Sequence, residues 1–141
     1  MITLNETIEV PRTVEACFRY VADFRTTVEW DATAVEARKV TRGPVDLGSR
    51  FALVCKAGPT TIALSYSIDE ITRWQCLVLT GKSRWFTVKD VITFEPAGHS
   101  STRITYTAHF EYRYGLEAIA SRNETNLRKM GKKRLLNWDI L

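Results

Sequence analysis

The pattern of hydrophobic and polar positions predicts a strand and two short helices at the start of the chain. Apolar and polar residues alternate over residues 2–10, which is typical of a strand with one buried face. Pro11 ends this strand, and Thr13 is a suitable N-cap for a helix in which apolar residues recur at positions 14, 17, 18 and 21. A second helical turn is predicted near residues 26–30.

Residues 35–113 have a different pattern, in which short runs of β-branched and aromatic residues are separated by turn residues. Breaks rich in glycine and proline, together with the polar segment 70–73 and the segment 81–83, divide this region into six strands. No long helical pattern lies between them, so they predict an antiparallel meander. The predicted strands lie near 35–42, 50–56, 60–69, 74–81, 85–95 and 102–113.

The last segment, residues 116–138, predicts one long helix. It has no proline, and its apolar residues form a stripe at a period of 3.6. Such a helix is about 35 Å long and must bury its stripe, and the concave face of the sheet is the only large partner. The predicted fold is therefore α+β and a single domain over residues 1–141, with about seven strands curved around the C-terminal helix and two short helices after the first strand.

The chain resembles the helix-grip superfamily, which includes START lipid-transfer domains and the birch-pollen-allergen fold, and within it the polyketide cyclase/dehydrase branch of SRPBCC proteins. The matching stretches are 21–24 (VADF), 29–31 (EWD), 48–51 (GSRF), 90–96 (DVITFEP) and 102–108 (TRITYTA). Ala32 departs from the family, which usually has proline after Trp-Asp, whereas Gly131 matches a glycine often found in the C-terminal helix. The resemblance implies a ligand cavity between the sheet and that helix.

Candidate cavity residues follow from the alternation along the strands and from this resemblance. Trp30 lies in the region that closes one end of the cavity by resemblance, as a ligand contact or as a hydrophobic plug. Gly131 makes room for a ligand or allows close packing. The candidate ligand-binding residues are Trp30, Phe51, Leu64, Tyr66, Phe86, Val88, Asp90, Ile92, Tyr106, Ala108, Phe110, Leu127, Met130 and Gly131. Each apolar member is alternatively a core residue.

Asp90 is the polar exception on the inward face of its strand. If Phe94 lies opposite Ile104 across the turn at 96–101, then Asp90 lies opposite Ala108 and diagonal to Tyr106. A buried carboxylate is costly unless it is paired. We therefore predict that Asp90 is inward-facing and hydrogen-bonded, either as a purely structural contact or as an acid that orients a ligand or acts as a general base.

Composition and charge exclude several function classes. The three cysteines are scattered and odd in number, which favours a reducing, cytoplasmic compartment without a disulfide framework. The sequence shows no signal-peptide pattern and no stretch long and apolar enough for a membrane span. Its histidines and cysteines do not have the spacing of a metal site, so no metal or other cofactor is expected. Basic and acidic side chains cancel over residues 1–112, with 13 of each, so the net charge of +4 belongs to the C-terminal part of the chain. Residues 113–134 carry seven basic and two acidic side chains, and Asp139 adds one further negative charge. This is the pattern of a solvated helix face, or of a surface for an anionic partner, and it gives little support for nucleic acid.

Three functions compete at this point. The leading hypothesis is a protein that binds an apolar or amphipathic small molecule, such as a lipid, a quinone or a polyketide-like compound. The alternative is a cyclase or dehydratase that uses acid and base groups in the cavity. The third is a module that contacts a membrane surface or another protein through the basic helix. The oligomeric state does not follow from the sequence.

Overall fold

The computed structural model describes residues 2–113, and these form one seven-stranded antiparallel sheet with two short helices after the first strand. The order of the strands across the sheet is β1-β7-β6-β5-β4-β3-β2. The strands are β1 Ile2–Val10, β2 Ala34–Lys39, β3 Arg50–Ala57, β4 Thr60–Thr72, β5 Cys76–Lys82, β6 Phe86–Pro96 and β7 Thr102–Tyr112. Helix α1 is Val14–Ala22, and a 3-10 turn at Phe24–Thr26 leads into α2, Thr27–Trp30.

Side chains cap the first turn of helix α1 and the 3-10 turn that follows it. The Thr13 hydroxyl accepts a hydrogen bond from Ala16 N at 3.2 Å, as predicted, so one backbone N–H in the first turn of α1 has a partner. Asp23 does the same for the 3-10 turn, accepting from Arg25 N at 3.1 Å. Although burial alone would raise the pKa of Asp23, hydrogen bonds from Arg25 and the charges of Arg25 and Lys39 lower it.

Sequential strands pair with each other from β2 to β7, so the predicted meander is correct, and β1 closes against β7. The predicted turn at 70–73 begins too early, because β4 continues to Thr72 and the turn to β5 lies at 73–75. A register shift between Ile68 and Glu70 is the physical reason. The extra residue is accommodated as a bulge, and Ile71 then lies opposite the buried Leu77.

The two faces of the sheet differ sharply. The inner face carries the apolar residues of each strand, and Leu77, Leu79, Ile92 and Ile104 are completely buried there. The outer face of β6 and β7 carries threonine, lysine, arginine and histidine, as the alternation predicted. Both short helices contribute to the inner side, where Cys17, Phe18, Val21, Ala22, Phe24 and Trp30 are buried.

Helix α1 covers one end of the inner face. The ring of Phe18 packs against Phe94 of β6 at a centroid distance of 5.3 Å, and against Trp74 of the β4–β5 turn at 5.4 Å. The predicted helix over residues 116–138, with Leu127, Met130 and Gly131, lies outside the described residues. The single domain over residues 1–141 stays a prediction.

Candidate ligand-binding site

Asp90 lies at the centre of the inner face. It is completely buried, and its neighbours across the sheet are Ala108 on β7 and Leu79 on β5, both also completely buried. The β6–β7 register has Phe94 opposite Ile104 and Asp90 opposite Ala108, as the sequence predicted. The face assignment of this strand is therefore correct.

Tyr106 provides the hydrogen bond that a buried carboxylate needs. Its hydroxyl donates to Asp90 Oδ2 at 2.5 Å, and the residue is 5% exposed. Tyr106 lies opposite Ile92, two residues along from the partner of Asp90, which is the diagonal position predicted from the register. This distance is at the short end of the ordinary range for O–H···O hydrogen bonds. Asp90 and Tyr106 form what we call the acid–phenol pair.

An aromatic cluster adjoins the acid–phenol pair. Trp30 packs edge-to-face on Tyr106 at 6.2 Å, and its indole N–H donates to Thr26 Oγ1 at 3.0 Å. The ring of Phe24 lies between those of Trp30 and Tyr66, with centroid distances of 6.1 Å to Trp30 and 5.0 Å to Tyr66. Trp30 is completely buried, so it occupies space beside the pair with its one polar atom already hydrogen-bonded.

Phe24 is a candidate site residue that sequence reasoning missed. It is completely buried and contacts three aromatic rings, those of Trp30, Phe51 and Tyr66. The motif at 21–24 contains it, but that motif pointed to the family and not to the cavity. A phenylalanine directly after an Asp that caps the next turn was the available signal.

Gly81 allows the Tyr66 ring to lie over the sheet. Gly81 is opposite both Tyr66 and Val88, and a Cβ atom added to it would lie 2.6 Å from Tyr66 Cζ and 2.8 Å from Val88 Cγ1. The sequence pattern predicts a break at 81–83, but β5 includes Gly81 and ends at Lys82. The glycine serves close packing within the strand and not the turn.

Glu6 is a second acidic residue on the inner face that the pattern analysis did not single out. It has the same parity as Ile2, Leu4 and Ile8 on β1, and it is opposite Tyr106 in the β1–β7 register. Its side chain is half-buried at an edge strand. The period of two that identified β1 was the signal that would have found it. Two carboxyl groups therefore flank Tyr106, one buried on β6 and one half-buried on β1.

A second aromatic cluster lies at the other end of the inner face. The rings of Phe86 and Phe110 are 5.4 Å apart, and Tyr112 packs on Phe86 at 5.4 Å. Burial raises the pKa of the Tyr112 hydroxyl. These contacts join β6 to β7 near the β5–β6 turn, far along both strands from Phe94 and α1.

The structure buries every predicted site residue that it describes. These are Trp30, Phe51, Leu64, Tyr66, Phe86, Val88, Asp90, Ile92, Tyr106, Ala108 and Phe110. It brings Trp30 and Asp90 together through Tyr106, and it places Phe86 and Phe110 in the separate second cluster. Leu127, Met130 and Gly131 lie outside the described residues. Ligand contact by all of these residues stays a prediction.

Other chemistry within residues 2–113 is limited. No group of three or more His, Cys, Asp or Glu side chains in this range is arranged to hold a metal ion. No disulfide joins the three cysteines, all of which lie in this range. Burial raises the pKa of the Cys17 thiol, despite a hydrogen bond with Thr102 and the nearby Arg12. No helix in the described part of the chain is long and apolar enough to cross a membrane.

The sheet, the two short helices after β1 and the buried inner face define a START-like, helix-grip fold. The protein TTHA0849 from Thermus thermophilus has this fold, with a TM-score of 0.74 at 13% identity, covering 96% of both chains. A START superfamily protein from Mycobacterium smegmatis has a TM-score of 0.72 at 14% identity, and the match covers 96% of this chain and 97% of that one. The Zhui aromatase/cyclase from Streptomyces sp. R1128 gives 0.68 at 12% identity, covering 93% and 92%.

The chain belongs to the polyketide cyclase / dehydrase and lipid transport family, whose model matches residues 1–135. The resemblance seen in the sequence is therefore confirmed. No curated protein sequence matches the chain. The structural similarities, at 12–14% identity, show the fold.

Proposed function

We propose that this protein binds an apolar or amphipathic small molecule, of the lipid, quinone or polyketide-like class, against the inner face of the sheet. The acid–phenol pair fixes the orientation of the ligand, and the surrounding aromatic and aliphatic residues supply the affinity. The observation that carries this proposal is the hydrogen bond of 2.5 Å between Tyr106 and Asp90, both buried in a largely apolar face.

The composition of the face supports this division of roles. Burial of apolar ligand surface contributes about 25 cal/mol per Å², so an aromatic ring or an acyl chain gains affinity without polar contacts. A few polar groups in an apolar pocket then determine orientation. The Tyr106 hydroxyl donates to Asp90, so the oxygens of both residues act toward a ligand as acceptors. The pair therefore favours a ligand that brings a donor, such as a hydroxyl or an amine.

The test compares two probes that differ by one hydroxyl group. We expect 1-naphthol and naphthalene both to displace the dye ANS from the protein, with 1-naphthol bound more tightly. In Asp90→Asn and in Tyr106→Phe the affinity for 1-naphthol should fall by about tenfold or more, the effect of losing a hydrogen bond to a charged group. The affinity for naphthalene should change by less than about twofold, since its binding is apolar.

Asp69→Asn is the matched control, because Asp69 carries the same side chain on an exposed position of β4 and accepts a hydrogen bond from Ser67 at 3.0 Å. It should leave both affinities unchanged. Failure of either probe to displace ANS would contradict the binding proposal. Equal losses for the two probes in Asp90→Asn would contradict the orienting role of the pair. Native mass spectrometry of freshly purified protein then identifies any compound that is carried.

The alternative function is an enzyme of the cyclase or dehydratase type. The specific observation in its favour is that Tyr106 has a carboxyl group on each side, Asp90 by hydrogen bond and Glu6 by register. A base and a proton donor at hydrogen-bonding distance are the components of general acid–base catalysis, which contributes about 10²–10⁴-fold. Turnover of a poly-β-ketone thioester that falls by that factor in both Asp90→Asn and Tyr106→Phe would support the enzyme. Binding without turnover in the wild type would contradict it.

We place this function in the cytoplasm. The support for this is that the three cysteines are free thiols, of which Cys17 and Cys55 are buried. A fusion to a fluorescent protein, followed in cells, would contradict this placement if the signal appeared outside the cytoplasm.

A further inference from the structure

The turn between β5 and β6 presents an exposed tryptophan among positive charges. Trp85 is 43% exposed and is one of five large hydrophobic residues with such exposure in the described part of the chain. Lys82 is the last residue of β5, Arg84 lies in the turn, and Arg113 follows the end of β7 beside it. We call Lys82, Arg84, Trp85 and Arg113 the basic tip. We propose that the basic tip docks on an anionic lipid surface.

Local hydrogen bonds hold Trp85 in place. The Ser83 hydroxyl accepts from the backbone N–H groups of Trp85 and Phe86, both at 3.1 Å. Arg113 N donates to the Trp85 carbonyl at 2.8 Å, which ties the turn to the end of β7. These hydrogen bonds order the turn, so the exposed indole ring is attached to a backbone that is held by Ser83 on one side and by Arg113 on the other.

The charges of the basic tip are available to a partner. The ion pairs among residues 2–113 involve none of Lys82, Arg84 and Arg113, and all three side chains are exposed. The guanidinium carbon of Arg84 lies 5.2 Å from the centre of the Trp85 ring. Residues 82–87 contain no acidic residue, and Glu111, opposite Thr87, is the nearest by register. The tip thus has three positive charges.

This combination fits a lipid headgroup region better than other partners. An indole ring prefers the boundary between water and hydrocarbon, because there its apolar ring contacts hydrocarbon while its N–H stays hydrated. Lysine and arginine near an anionic leaflet each strengthen binding by about fivefold. A surface for single-stranded nucleic acid uses several aromatic rings along a basic groove. The tip offers one exposed ring in a cluster of cations, which favours the membrane.

The position of the tip connects docking with the proposed function. Phe86, the residue after Trp85, begins the second aromatic cluster, in which it packs on Phe110 and Tyr112. An apolar ligand leaving the bilayer at the tip would meet these rings first. This last step rests on the proposed function, whereas docking itself is measured without any ligand.

The experiment is flotation of the wild-type protein with vesicles of phosphatidylcholine, with and without phosphatidylserine. We expect binding only to the vesicles that contain phosphatidylserine, and weaker binding as salt is raised. Arg84→Glu removes one attracted charge and adds a repelled one, so it should weaken binding by about 30-fold at low salt. Trp85→Ala should weaken it by about tenfold or more, the value of burying an aromatic side chain.

Two exposed residues elsewhere provide matched controls. Arg42→Glu makes the same change in net charge, and Leu47→Ala removes the most exposed of the large hydrophobic side chains in the described part of the chain. Both should bind vesicles within about twofold of the wild type, because both lie outside the tip. Equal losses in Arg84→Glu and Arg42→Glu would overturn the proposal, since they would indicate attraction by net charge alone. Absence of wild-type binding to both kinds of vesicle would also overturn it.

A third measurement separates the remaining outcomes. A single-stranded oligonucleotide that binds in a Trp85-dependent way, with vesicle binding absent, would replace the lipid surface with nucleic acid and overturn the proposal. Uptake of ANS by Trp85→Ala should equal that of the wild type. If the protein fails to take up ANS but its tip still binds vesicles, the proposed function is wrong and the docking surface stands.

Discussion

Replacing Gly81 with alanine tests the close packing of the candidate site. The added Cβ atom would lie 2.6 Å from Tyr66 Cζ, 2.7 Å from Tyr66 Cε1 and 2.8 Å from Val88 Cγ1. Ordinary van der Waals contact begins at 3.4 Å, so the Tyr66 ring would have to move by about 0.8 Å. The ring is 2% exposed and packs against Phe24 at 5.0 Å, so little space is available for this movement.

Two opposing effects determine the free energy of unfolding of Gly81→Ala. Alanine restricts the unfolded chain more than glycine does, which stabilises a protein by about 0.4–1 kcal/mol where the backbone tolerates it. Gly81 has no positive φ angle, so its backbone does tolerate alanine. Overpacking of a core costs about 1–3 kcal/mol. The clash is with two side chains on neighbouring strands, so we expect a net loss of about 1–2 kcal/mol.

Urea denaturation measures this loss as a lower midpoint with an unchanged m-value. A double-mutant cycle with Tyr66→Ala assigns the cause, because removing the ring leaves only the Val88 contact. The loss from Gly81→Ala should then be smaller by at least about 0.5 kcal/mol in the Tyr66→Ala background. A Gly81→Ala protein as stable as the wild type, or more stable, would refute the reasoning, since the entropy term would then outweigh the clash.

Two further predictions concern pH and the C-terminal segment. Burial, together with the hydrogen bond and charge of Glu29, raises the pKa of Tyr20 to about 12. The pKa in the unfolded chain is about 10, so the folded state holds this proton more tightly. The contribution of Tyr20 to stability is therefore complete below pH ~10 and is lost as pH rises toward 12. Tyr20→Phe should therefore show a smaller fall in unfolding free energy over that range, and an identical fall would contradict the assignment. Leu127→Ala should cost about 2–5 kcal/mol if Leu127 lies on the buried stripe of the predicted helix. A loss below about 0.5 kcal/mol, typical of a surface substitution, would contradict that placement.

The sequence was most informative where strand alternation and a short turn act together. The period of two predicted which residues of β6 and β7 face inward, and the turn predicted at 96–101 set their register. Those two constraints were sufficient to place Asp90 opposite Ala108 and diagonal to Tyr106, as the structure has them. A shift of one residue in the alternation would have placed Asp90 on the outer face, and a shift in the register would have given it a different neighbour on β7.

Other features depend on contacts between distant segments and could not be predicted from local pattern. Ile71 is half-buried only because the bulge between Ile68 and Glu70 shifts the register of β4. Phe24 joins the aromatic cluster because a 3-10 turn places it against Tyr66, more than 40 residues later in the chain. Glu6 differs from these two cases, because its position along β1 assigns it to the inner face from the sequence alone. It was missed because a charged residue on the apolar face of a strand contradicts the usual correlation between face and polarity.

The backbone pairing of the sheet does not run through the side chains of the acid–phenol pair, and this bears on why the pair is there. Between Asp90 and its neighbours Ala108 and Leu79 the strands are already paired through backbone hydrogen bonds. Replacing a buried polar pair with apolar residues of similar volume is often neutral or stabilising, because the desolvation cost of the charge disappears. A ligand that brings a hydrogen-bond donor to the buried oxygens of Asp90 and Tyr106 would add a polar contact in the complex, and for this reason the pair, more than the apolar residues around it, supports the proposed binding surface.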